Sequence, residues 1–316
     1  MPLRPAALLA FVFALGYPIS ALAVSAMSPM AVLVFRFALA ALILGIWSWA
    51  RGVRWPTGRL LGHVMIAGLL SQGLQFSCQY LAYLHGAPAV LGAVIVSMNP
   101  VATALLAAVS LGERLSARRM LALLLGVIAV LAACAQRLAT VGGIDVVVVL
   151  LVVSLLAISS GGVYQQRFCR GVDFRANATL QNLSALVPIS ILAAIMPLHV
   201  TNGHLALGAV LAVVLLNATL CMTLYVRAID RYGAASVAML FAVIPAIAGV
   251  LSWLILGQRP DIGIAVGLVV GAAACWLNAG TRSAAPAPAT PPRPTAESNR
   301  SDPSDRRDPA AEYPCP

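Results

Sequence analysis

The stretch "SQGLQFSCQY" (residues 71–80) sets Gln72, Gln75 and Gln79 at i, i+3 and i+7, so a helix there carries three amides on one face. Amides offer donors and acceptors but no nucleophile and no transferable proton. Their chemistry is recognition, either of a polar solute or of a neighbouring helix. Arg36 is the single charge in "VLVFRFALAALIL" (32–44). Asn99-Pro100 and Pro245 interrupt two further apolar runs. Each proline removes one helical hydrogen bond, predicting an unpaired carbonyl at Val96 or Phe241 and a kink. Bond-breaking chemistry has no obvious carriers. The sequence holds no Gly-x-Ser-x-Gly, no P-loop and no His-x-x-x-His, and Glu113 sits at the end of a run.

The elements that position these residues are set by composition. Of 316 residues, 61% are hydrophobic and 9% charged, with mean hydropathy +0.93. A soluble chain of this size carries about 25% charged residues. The apolar runs are about 20 residues long, the length a helix needs to cross about 30 Å of hydrocarbon. They lack the alternation of barrel strands. The expectation is an all-α polytopic membrane protein with ten spans, near 5–25, 30–50, 62–83, 89–111, 117–136, 144–165, 177–197, 205–226, 233–256 and 262–280. The first span is too long for a cleavable signal peptide and is followed by more apolar chain. Residues 281–316 are rich in Pro, Ala, Ser and charge, and read as a disordered tail. Connections are short, so no separate soluble domain is expected.

The net charge of +10 comes entirely from arginine. With the N-terminus inside, the basic connections (Arg51, Arg54, Arg59; Arg114, Arg118, Arg119; Arg167, Arg170, Arg175; Arg227, Arg231) and the tail are cytoplasmic, while the external ones hold only Arg137 and Arg259. By the positive-inside rule both termini face the cytoplasm. Clusters of this kind signal topology, and no nucleic-acid partner is expected. The six cysteines form no C-x-x-C and the four histidines no ligand pair, so neither metal, cofactor nor disulfide is expected.

The chain repeats itself. Pro100 in "SMNPVATALLAAVSLGER" and Pro245 in "AVIPAIAGVLSWLILGQR" lie 145 residues apart (245 − 100). The same offset maps Arg114 onto Arg259, Tyr80 onto Tyr225 and Gly16 onto Gly161. Spans 1–5 (residues 1–136) thus align with spans 6–10 (137–280). Because five is odd, the second copy enters the membrane inverted, the arrangement of secondary transporters with a midplane site.

The two proline-containing runs resemble the Pro…Gly-Glu signature of EamA-type transporters of the drug/metabolite transporter superfamily. "SPMAVLVFRFALAALIL" is similar to that family's Pro…Arg-Phe second span. Gln258 and Gln181 stand where Glu113 and Arg36 have their mates, so a role for either charge belongs to the first repeat alone. The resemblance implies a ten-helix carrier of small metabolites with a cavity between spans 1, 3, 4, 6, 8 and 9.

On this reading Gln72, Gln75, Gln79, Asn99, Pro100, Asn217, Pro245, Tyr17 and Tyr164 are the candidates for the cavity wall, against packing roles for each. Arg36, Glu113, Tyr80 and Tyr225 are structural or gating candidates. Arg36 must meet protein, water or a headgroup, since a charge at the bilayer centre costs about 2.5–3.5 kcal/mol on insertion scales. The expectation is that it braces neighbouring spans through backbone carbonyls, and the alternative is contact with an anionic group of a solute. The function expected is secondary transport of amino-acid-like metabolites by alternating access, directed outward across the bacterial cytoplasmic membrane, without enzymatic chemistry. A membrane enzyme, a lipid flippase and a sensor are the alternatives. The partners are a small-molecule substrate and the bilayer; a homodimer is possible but not required.

Overall fold

The computed structural model describes residues 3–111, 117–141, 145–221, 224, 228 and 239–279. Glu113, Tyr225 and the expected tail lie outside the described residues. The described chain is helical, save for one isolated bridge between Met27 and Val200.

Repeat one holds α1 (Leu3–Ala26), α2 (Pro29–Ala50), α3, α4 and α5 (Ala117–Val141). Helix α3 is built in three parts: Gly58–Gly68, a π-helical turn Leu69–Leu74, and Gln75–Leu84. Helix α4 is broken into Ala89–Ser97 and Asn99–Leu111. Repeat two holds α6 (Val146–Phe168), α7 (Phe174–Ile195), α8, α9 and α10 (Ile262–Ala279). Helix α8 runs as Gly203–Ala212 and then as a π-helical stretch, Val213–Cys221. Helix α9 opens on a 3₁₀ turn, Met239–Ala242, and continues as Ile244–Leu256. Six of these helices (α1, α2, α4, α6, α7 and α8) are each long and apolar enough to cross a membrane, and shorter apolar segments occur in α5, α9 and α10. Helix α3 is absent from both groups; it carries the amides.

Local signals explain where helices begin. Asp145, Asp173, Asn202 and Asp261 each accept a hydrogen bond from a first-turn amide, of Val147, Arg175, Leu205 and Ile264, at 2.7–3.0 Å. A side-chain oxygen there satisfies one of the four orphan N–H groups of a helix start. Gln258 does this from a distance: its Oε1 accepts from the Ala89 N–H at 2.9 Å and ties the end of α9 to the start of α4. The residue that departs from the acidic pattern of repeat one thus caps a helix of that repeat.

The packing exchanges the repeats. Helix α2 lies on α7, α4 on α9 and α5 on α10, while α1 packs on α8 and α9 just as α6 packs on α3 and α4. Small residues permit the close crossings. A Cβ on Gly16 of α1 would collide with the Asn217 side chain of α8, and one on Gly161 of α6 would sit 2.9 Å from the Ser71 backbone nitrogen of α3.

The connections define two ends. At one, Ser28 donates to the carbonyls of Pro197 and His199 and accepts from the His199 N–H, so the ends of α1 and α7 meet. At the other, His63 near the start of α3 bonds Tyr164 near the end of α6, and Trp47 of α2 meets Phe174 of α7. The C-terminus of α1 lies at the first end and that of its counterpart α6 at the second, so the two repeats run in opposite senses. Arg51, Arg54, Arg59, Arg167, Arg170 and Arg175 all fall at the second end.

The prolines act differently from the sequence expectation. Pro100 and Pro245 each occupy the second position of a new helical segment, where the missing N–H costs nothing, rather than kinking a continuous helix. In α4 the break at Met98 is closed by a three-residue turn, with Met98 N–H bonded to Ile95 O at 3.1 Å.

Candidate functional site

Helices of both repeats enclose a cavity of about 730 Å³, within the usual range of small-molecule sites. It runs from Ser20 and Arg36 to Cys169 and Arg170 at the arginine-rich end.

The amide face of α3 forms one wall. Gln72, Gln75 and Gln79 all line the cavity, but they do so differently. Gln72 sits within the π turn and is partly exposed. Gln75 and Gln79 are buried and form a ladder: Gln75 Nε2 donates to Gln79 Oε1 at 2.7 Å and to Ser154 Oγ at 3.4 Å, and Gln79 Nε2 donates to Tyr83 Oη at 2.7 Å. Cavity lining and helix packing therefore share one face. Gln75 Oε1 is buried and has no partner among the described residues.

Helix α4 contributes Asn99, Pro100 and Thr103. Asn99 Oδ1 accepts from Thr103 Oγ1 and from Ser159 Oγ of α6, both at 2.9 Å, which ties the broken helix to the opposite repeat. Asn217, at the Gln72-equivalent position of α8, lines the cavity from the other π-helical segment. Tyr17 lines it as well and is buried. Phe13 and Phe241 meet edge to face there, with centroids 5.3 Å apart.

Two of the nine candidates are elsewhere. Pro245 is buried in the packing of α9, because the 3₁₀ turn before it swings Phe241 into the cavity instead. Tyr164 faces α3, where its hydroxyl bonds His63 Nδ1 at 2.8 Å and both rings pack against Phe168.

Arg36, expected among structural residues, lines the cavity and is 4% exposed. Its Nη1 donates to Tyr80 Oη at 3.3 Å, and Tyr80 in turn donates to Ser20 Oγ at 2.9 Å. The guanidinium carbon lies 3.6 Å from the centroid of Phe76. The expected backbone carbonyls are not its partners. Helical carbonyls nearby are spent on their own i+4 N–H groups, so a hydroxyl and an aromatic face one turn apart on α3 take that place.

Sequence reasoning missed the contribution of α7. Asn177, Gln181 and Asn182 line the cavity from "RANATLQNLS", where polar residues at i, i+4 and i+5 in an apolar span were the available signal. Gln181 Nε2 donates to Gln165 Oε1 at 2.8 Å and Asn177 Oδ1 at 3.1 Å, and its Oε1 accepts from Ser71 Oγ at 3.2 Å. Arg170 adds a second cation at the mouth, and no carboxylate lines the described cavity. The acid closest in sequence, Asp173, is held below the usual carboxylate range, first by its bidentate hydrogen bonds with Arg175. No group of His, Cys, Asp or Glu suited to a metal occurs among the described residues.

No curated protein sequence matches the chain. A crystal structure described only as that of a protein superposes with a TM-score of 0.60, covering 88% of this chain and 98% of its own, at 19% identity; that likeness concerns the fold. The profile of the EamA-like transporter family matches twice, at residues 5–134 and 146–280, the two halves that exchange places in the packing. The chain belongs to the EamA-like transporter family.

Proposed function

We propose that this chain carries a small amphiphilic, amino-acid-like metabolite outward across a bacterial cytoplasmic membrane by alternating access, with both termini in the cytoplasm and no bond chemistry on the solute. Its family makes it a membrane transporter-like protein of the drug/metabolite transporter superfamily. One observation carries the finer reading: the cavity between the repeats extends to the arginine-rich end through Cys169 and Arg170, while the opposite end is stitched across by Ser28 and by the bridge of Met27 to Val200. A polar cavity closed on one side, between oppositely directed repeats, suits a carrier caught in one of two related states. The arginine-rich end is the cytoplasmic one by the positive-inside rule, so this state faces inward. Residues 1–136 and 137–280 serve as the two moving halves. Gln72, Gln75, Gln79, Asn99, Pro100, Asn217 and Tyr17 form the wall a solute meets. Amides and aromatic rings around one cavity favour a solute with both polar and apolar parts.

Purified protein in sealed liposomes loaded with a metabolite mixture tests this. Protein-dependent passage of an unmodified solute is expected. Chemical conversion of the solute, or binding without passage, overturns the reading. Reporters fused after Ala176 and after Gly203 should read out opposite faces of the membrane, the first the cytoplasm.

A further inference from the structure

We propose that Arg36 is the seat of a substrate carboxylate and that Gln75 accepts a hydrogen bond from an N–H donor on the same solute; this rests on the transport reading above.

The guanidinium carries five N–H donors. A single bond, to Tyr80, engages them among the described residues. The Phe76 face 3.6 Å away stabilises the positive charge without satisfying the remaining donors as an acceptor oxygen would. No described carboxylate lines the cavity to neutralise it. A cation so enclosed lacks the partner that buried charges need, and a carboxylate matches its fork in two parallel bonds.

The second repeat shows that the fold does not require this charge. At the matching position stands Gln181, neutral, with its Nε2 and its Oε1 both engaged by protein groups. A position that is only architectural is served there by an amide.

Gln75 is the independent observation. It is 2% exposed and lines the same cavity, its Nε2 is committed to Gln79 and Ser154, and its Oε1 is without a partner among the described residues. Leaving a buried acceptor empty is costly, and filling it from a solute recovers that cost. Donors at Arg36 and an acceptor at Gln75 together select a solute bearing a carboxylate and an amino group. The apolar rings of Phe13 and Phe241 leave room for an apolar side chain.

The test uses full-length protein in liposomes and four solute pools: α-amino acids, their carboxamides, the corresponding 2-oxo acids, and uncharged nucleosides, with lumenal content read by mass spectrometry. Amino acids should enter at least about tenfold faster than carboxamides and than 2-oxo acids, the loss expected for one charge-assisted contact or one unfilled acceptor. Arg36→Gln, monodisperse in detergent, should erase the acid-over-amide preference, and Arg36→Lys should keep it at a lower rate. Equal entry of acids and carboxamides in the wild type, which needs no variant, overturns the Arg36 seat. Equal entry of 2-oxo acids overturns the Gln75 contact. Passage of nucleosides alone overturns both and leaves transport standing, and passage of no pool overturns the transport reading itself.

Discussion

Arg36 and Gln181 hold the same place in the two repeats and live in opposite circumstances. Gln181 is knitted into α3, α6 and its own helix by three hydrogen bonds. Among the described residues Arg36 has one bond, a ring beneath it and the cavity beside it. The helices that flank them differ in the same way. Opposite Gln181, α3 carries Gly68, where a Cβ would stand 2.5 Å from the Gln181 Cα and strike Ser184. At the position matching Gly68, α8 carries a buried Val213. One side of the bundle is therefore a tight, satisfied seam, and the other is a looser wall with unspent donors. A duplicated fold can assign holding together to one copy and recognition to the other.

The largest test of that contrast is steric. Gly68→Val should cost about 3 kcal/mol or abolish folded protein, because backbone atoms of α7 cannot yield. Val213→Ala should cost only about 1–2 kcal/mol. Equal thermal shifts would mean that the two seams are equally tight. Next in size is the polar exchange. Gln181→Leu should lower stability by about 2–3 kcal/mol, since Ser71, Gln165 and Asn177 lose their partner. Arg36→Gln should cost only about 1 kcal/mol in the same unfolding assay. If the arginine variant is the less stable of the two, the charge is a structural brace after all.

Tyr164→Phe removes the bond to His63 while keeping the rings, and should cost about 1 kcal/mol without altering solute preference. A changed acid-to-amide ratio in that variant would extend the recognition wall to the mouth. The smallest effect belongs to Asp173. Its folded-state affinity for protons is lowered by Arg175, so its contribution is present above the unfolded value near 3.9 and is lost as pH falls through the lower folded value. Asp173→Asn keeps the helix cap and should cost about 0.5 kcal/mol at neutral pH and progressively less as pH falls below the unfolded value, as read by melting temperature across pH.

Span positions were legible because length and hydropathy report them directly; the run expected at 30–50 is the helix Pro29–Ala50. The three glutamines were legible as a face, and all reach the cavity. The π-helical segments were not, because one extra residue in a turn leaves hydropathy unchanged. The prolines mark interruptions as their chemistry predicts, but as starts of new segments rather than kinks, and only Pro100 reaches the cavity. A break is invisible in composition when the residues before it are as apolar as those after, and so Pro245 was expected where Phe241 is found. Arg36 and Tyr80 were both singled out, yet their bond was not, since they are 44 positions apart and only the packing of α2 on α3 brings them together.

The π turns at matching places in α3 and α8 have a consequence for how such a chain can change. Each helical residue advances the backbone by about 100°. Deleting one residue from an evenly wound stretch turns everything after it by about that angle, but deleting one from the Leu69–Leu74 turn would restore ordinary winding and leave Gln75 and Gln79 on the wall. The wide turn has already absorbed the extra residue. Such a helix can give back a residue without turning its amide face, a tolerance that a helix wound evenly from end to end does not offer.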